Sequence, residues 1–171
     1  MKTVLFDLDG TLLKMDVDVF TKYYLGSLAK KYADIIDPNL IIKAVWAGTK
    51  SMVLNDGSKT NEEVFFETFN KITNYHSSNE TFISFYLNEF RDTINACVVD
   101  DDARVLVDKI KAKNYQLVLA TNPIFPKEAT YCRMDLLAWI RMNLNWLLPM
   151  RIVVIVSLIL NTMKISAIDW I

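Results

Sequence analysis

Asp7 and Asp9 flank Leu8 where a short apolar run, Val4-Leu5-Phe6, gives way to Gly10 and Thr11. Such a run reads as a buried strand, and its end in two carboxylates, a glycine and a threonine concentrates charge where the strand stops. In an open α/β sheet ligands bind beyond the carboxyl ends of the strands, so both acids are expected at the mouth of a site. A turn over Leu8 to Gly10 is expected to carry them there. Gly10 permits the bend, and the Thr11 hydroxyl can donate to a neighbouring carboxylate. Two carboxylates so placed suit a nucleophile and a proton donor working on one phosphorus atom, with a cation to offset their repulsion. A calcium loop of the EF-hand kind is excluded, because its glycine stands sixth in the loop and Gly10 would be fourth.

A second candidate group follows the apolar run Tyr115 to Ala120, which reads as another buried strand. It ends in Thr121 and Asn122, a hydroxyl and an amide that can donate to phosphate oxygens. The acidic run Asp100-Asp101-Asp102 precedes Val105, Leu106 and Ile110 and a basic end at Lys109, Lys111 and Lys113. Acids at the start and cations at the end mark a capped helix, so this run is read as capping rather than metal ligation.

The sequence Asp7-Leu8-Asp9-Gly10-Thr11 after an apolar strand resembles the first motif of the haloacid-dehalogenase-like hydrolases, and Leu117 to Asn122 resembles the second. The resemblance implies an α/β fold, with a Rossmann-like parallel sheet core interrupted by an inserted all-helical cap. It implies that Asp7 forms an aspartyl-phosphate, that Asp9 protonates the leaving group and then activates water, and that Thr121 and Asn122 bind the phosphoryl group. It also implies Mg²⁺, held by the Asp7 carboxylate and the Asp9 main-chain carbonyl. Phosphate monoesters are the expected substrates rather than haloacids, since dehalogenation needs neither Asp9 nor Mg²⁺. The expected partner is a small phosphorylated metabolite.

Elements able to hold these groups are legible along the chain. Residues 1–14 and 95–134 read as a partial catalytic core, and 15–94 as the helical insertion. Phe20, Tyr23, Tyr24, Leu28 and Tyr32 recur at helical spacing with lysines between them. A second helix is predicted after Asp37, with Pro38 at its first position. Thr60 to Glu63 is a capping box ahead of Val64, Phe65, Phe66, Phe69 and Ile72. Ser77 to Glu80 repeats the device before Phe82, Phe85, Tyr86, Leu87 and Phe90. These aromatic stripes read as core, with a few of them available for specificity above a site.

Composition agrees with a globular chain. Of its 171 residues 52% are apolar and 23% charged, with a net charge of −1, which speaks against disorder and against a nucleic-acid-binding surface. Cys97 and Cys132 form no C-x-x-C pair, and His76 is the single histidine, so no zinc constellation exists. Both cysteines read as buried apolar groups. Asp7 and Asp9 interrupt the first apolar run, which therefore does not read as a signal peptide, and a cytoplasmic location is expected.

The resemblance ends near residue 134. The family's third motif is a lysine followed by an acidic pair after another strand, whereas from Leu136 onward the acids and lysines are Asp169 and Lys164 alone, in no matching context. Leu144 to Leu160 is nearly all apolar, which offers a membrane anchor by hydropathy, but Asn145, Pro149 and Arg151 interrupt it. A frameshift, with the tail read out of frame, is the favoured account of this atypical tail. With suitable synonymous codons, Trp139 to Leu160 shifted by one base reads as a polar peptide ending in Lys-Pro-Asn, and Trp139-Ile140 forces an aspartate in that frame. The chain is thus expected to carry a phosphatase design that is impaired. The alternatives are a non-catalytic phosphate-binding remnant and a membrane-anchored protein.

Overall fold

A computed structural model describes residues 2–121, 124–137 and the backbone of 152–154. The chain is mixed α/β. It divides into two units. One takes residues up to Asp16, from Cys97 to Phe125, and from Arg133 on; the other takes Val17–Ala96 with Pro126–Cys132.

The first unit holds a small parallel sheet ordered β1 (Thr3–Phe6), β4 (Gln116–Thr121), β5 (Ile152–Val154). Thr3 pairs with Gln116 and Phe6 with Leu119, while Leu119 to Thr121 pair with Ile152 to Val154. Within the atypical tail 135–171, Ile152–Val154 is the third strand of this sheet. The membrane-anchor and frameshift expectations otherwise fall outside the described residues. Among the described residues, no helix is long and apolar enough to cross a membrane.

Val4-Leu5-Phe6 is not a wholly buried strand. Leu5 is 50% exposed while Phe6 is buried, the alternation of a strand covered on one face. The core against that face is made of Phe6, Leu8, Leu12, Leu13, Leu119, Met134 and Leu137, with Val4, Leu117, Ala103, Val107 and Ile110 packed against it. Helix α5 (Asp101–Lys111) therefore turns Ala103, Val107 and Ile110 inward, and Val105 and Leu106 stay about half exposed. Asp100 caps it by accepting from the Asp102 amide at 2.9 Å, as the acidic run predicts. Asp100 also binds Lys14, whose strand β2 (Lys14–Met15) pairs antiparallel with β3 (Cys97–Val98). Cys97 and Cys132 are half-buried rather than buried.

The second unit is helical: α1 (Val17–Lys31), α2 (Pro38–Val53), α3 (Asn61–Thr73), α4 (Asn79–Leu87) and a 3₁₀ helix over Glu89–Ala96. Its starts follow local chemistry. Asp37 Oδ1 accepts from the amides of Asn39 and Leu40, and Pro38, which has no N–H to satisfy, opens α2. In the Thr60 box, Thr60 N donates to Glu63 Oε2 at 2.8 Å and Glu63 N donates to Thr60 Oγ1 at 3.2 Å. Thr60→Ala removes one half of this exchange and is expected to lower stability by about 1 kcal/mol in a denaturant titration. The cap of α4 sits one residue later than its sequence signature: Ser78 is the cap and Thr81 Oγ1 accepts from its amide. The reason lies in α3, where Asn70 binds both the amide and the carbonyl of Ser77 and so keeps Ser77 out of the helix start.

The aromatic stripes form the core of this unit. Phe85 lies 5.3 to 6.1 Å from the rings of Tyr86, Tyr24 and Phe90, and Phe82 packs edge-on to Phe69 at 5.3 Å. Tilted and edge-to-face pairs are the favoured geometry of aromatic cores. Burial pushes the Tyr24 phenol up to about 12, so its hydroxyl, 3.4 Å from that of Tyr86, stays protonated and structural. Tyr23 and Leu87, read as part of these stripes, are instead exposed. A buried glycine, Gly48 in α2, sets the approach of α3: a Cβ there would stand 2.6 Å from Phe65 Cδ2. Gly48→Ala would gain about 1 kcal/mol of helix propensity. The overlap with the ring costs about 1–3 kcal/mol. The expected result is a net loss in thermal melting, relieved when Phe65→Leu is added.

Candidate active site

The site is built on the carboxyl ends of β1 and β4. Because Phe6 pairs with Leu119, Asp7 follows β1 and Thr121 closes β4 at the same edge of the sheet. A tight turn continues from Asp7. The Leu8 carbonyl accepts from the amides of Thr11, Leu12 and Leu13 at 2.9 to 3.3 Å, and the Gly10 amide donates to the Leu13 carbonyl at 2.8 Å. Gly10 stands at φ +78°, which a glycine adopts without penalty, so the predicted bend is made where the sequence placed it. The wholly buried Leu8, Leu12 and Leu13 anchor this turn in the core.

Between these anchors the polar side chains face outward to different degrees. Asp7 and Thr11 are exposed, Asp9 is half-buried and Thr121 is buried. Asp7 and Asp9 are near enough to feel one another. Burial is the largest influence on Asp9 and raises its carboxyl above the usual range, the Asp7 charge adds to the rise, and the Arg133 guanidinium opposes it. Asn122 lies outside the described residues.

Arg133 is the residue of this site that the sequence reading missed. It stands in the last turn of α6 (Lys127–Leu136), is 2% exposed, and brings Nε to 3.3 Å from Asp9 Oδ1. The Phe125 ring lies under the guanidinium, 4.7 Å from Cζ. The pair does not have hydrogen-bond geometry, so it is a charge contact. An arginine is almost never so buried without a charge to meet it, and an arginine within Ala129 to Leu137, a stretch rich in small and apolar residues, was the available signal.

Asp7 and Asp9 are hard oxygen donors of the kind Mg²⁺ accepts, an ion that keeps several waters and takes one or two carboxylates with substrate phosphate. They fit a hydrated ion rather than a closed cage: among the described residues no three acidic, histidine or cysteine side chains gather to hold a metal. No protein-family model and no curated protein matches the chain.

Proposed function

We propose that this chain carries a phosphoryl-transfer site of the haloacid-dehalogenase-like type. On this reading the unit that holds the parallel sheet is a partial Rossmann-like core, and Val17–Ala96 stands in the sequence position of the family's helical cap. The substrate is a small phosphate monoester. The observation that carries the reading is the register of β1 on β4, which brings Asp7, Asp9 and Thr121 to one edge.

The chemistry follows from the residue types. An Asp7 carboxylate oxygen attacks phosphorus, and the bond from phosphorus to the ester oxygen breaks while Asp9 gives that oxygen its proton. Water then attacks the phosphoryl group and yields its proton to Asp9, and the bond to Asp7 breaks, restoring both carboxyl groups. A carboxyl lifted by burial and held by a cation suits Asp9 to carry a proton in both directions. Thr121, and Asn122 beside it in sequence, donate to the phosphoryl oxygens. Asp7, through its carboxylate, and Asp9, through its main-chain carbonyl, would hold Mg²⁺, which would offset the charge gathered at the site. Turnover by residues 1–171 is expected to be slow, because Leu136 to Ile171 hold no counterpart of the lysine and acidic pair of the family's third motif.

The test is fluoroberyllate, a stable mimic of an aspartyl-phosphate, followed by ¹⁹F NMR with Mg²⁺. The chain is expected to show a bound fluoride signal that Asp7→Asn abolishes. A chain without that signal, or one whose signal survives Asp7→Asn, would overturn the reading.

A further inference from the structure

Asp9 must do two things that conflict: stay fixed at the turn, and present an oxygen to a proton donor or acceptor at the strand end. Its side chain is 28% exposed, yet Oδ1 is wholly shielded, so the exposure belongs to its other atoms. The group on the shielded oxygen is Arg133 Nε at 3.3 Å. Arg133 is itself 2% exposed and is backed by the Phe125 ring, 4.7 Å from Cζ. A guanidinium packed against a ring has few ways to move, and a planar fork is pre-organised as a flexible ammonium is not. One carboxylate oxygen is thereby held inward by a rigid cation, and the other is left to face outward.

We propose that Arg133 is the positioning residue for Asp9, fixing Oδ1 so that Oδ2 is presented for proton transfer. It touches neither substrate nor phosphorus and acts through Asp9. The inference rests on the phosphoryl-transfer reading above, and it predicts a defect confined to the steps in which Asp9 moves a proton. Attack of Asp7 on a donor whose leaving group departs without protonation does not need Arg133. Hydrolysis of the aspartyl-phosphate does, because Asp9 must take the proton of the attacking water.

The experiment loads the full chain with acetyl phosphate and Mg²⁺, removes the donor, and follows phosphoryl loss from Asp7 by mass spectrometry. Arg133→Met is expected to load like the parent chain and to lose its phosphoryl group at least about tenfold more slowly, the scale of a misplaced catalytic group. Asp9→Asn is expected to be slow to a similar degree, and the double variant no slower than Asp9→Asn alone. Arg133→Lys, which keeps the charge but not the rigid fork, is expected to fall between Arg133→Met and the parent. It carries the test if the methionine variant does not fold. An unchanged phosphoryl lifetime in Arg133→Lys, or in a folded Arg133→Met, would overturn the proposal. So would a further slowing in the double variant. A parent chain that takes no phosphoryl group at Asp7 defeats the underlying reading instead, and that failure is visible before any arginine is changed.

Discussion

Asp7→Asn is expected to leave the fold intact and to reduce turnover of an aryl phosphate with Mg²⁺ by roughly 10³-fold or more, the scale at which loss of a nucleophile is felt. The fold survives because Asp7 is exposed and follows β1 rather than lying in it. The chemistry does not, because an amide oxygen is a poor nucleophile and the variant loses a charge that Mg²⁺ would meet. Parent turnover is expected to lie far below the ~1–10³ s⁻¹ usual for enzymes. Rapid turnover that depends on Asp7 would refute the impairment while supporting the assignment of the nucleophile. Equal turnover by the parent and Asp7→Asn would refute the assignment itself.

Phe85→Ala is expected to cost about 3–5 kcal/mol, the largest stability effect of the substitutions considered. Phe85 is wholly buried, and its ring meets Tyr24, Tyr86 and Phe90 at centroid distances of 6.0, 5.3 and 6.1 Å. Three facing rings cannot all collapse into one vacancy, so a cavity penalty adds to the lost burial. A domain holds about 5–15 kcal/mol in total, so the variant is expected to be largely unfolded at moderate denaturant or temperature. Leu87→Ala, two residues away on the same helix, is the control. Leu87 is 53% exposed, and a change there is expected to stay within about 0.5 kcal/mol of the parent. Far-ultraviolet circular dichroism during a urea titration compares the two; a mild Phe85→Ala would mean that the aromatic cluster is looser than its geometry indicates.

What the sequence made legible is what short-range chemistry decides. Thr60 with Glu63 and Asp100 cap the helices they were read to cap, and Asp37 caps the helix predicted to follow it, because a cap needs partners two or three residues away. The turn at Gly10 was legible for the same reason, since a left-handed φ after a strand calls for glycine. Burial was less legible. The run Val4-Leu5-Phe6 has the composition of a covered strand, and whether both faces are covered depends on distant elements that its own residues do not specify. Ser77 and Ser78 are alike as letters, and the choice between them was made by Asn70 on another helix. Arg133 was the hardest case. Its meaning comes from Asp9, which lies nearly the whole described chain away, and no spacing rule connects a helix-end arginine to a strand-end acid.

The central claim is that Asp7 accepts a phosphoryl group, and the most direct measurement is chemical trapping of that bond. Borohydride reduces an aspartyl-phosphate to homoserine, so the chain is incubated with acetyl phosphate and Mg²⁺, reduced, digested and sequenced by tandem mass spectrometry. Homoserine is expected at position 7, dependent on the phosphate donor and absent from Asp7→Asn. Reduction at another acid, or none at position 7 in a folded chain, would contradict it.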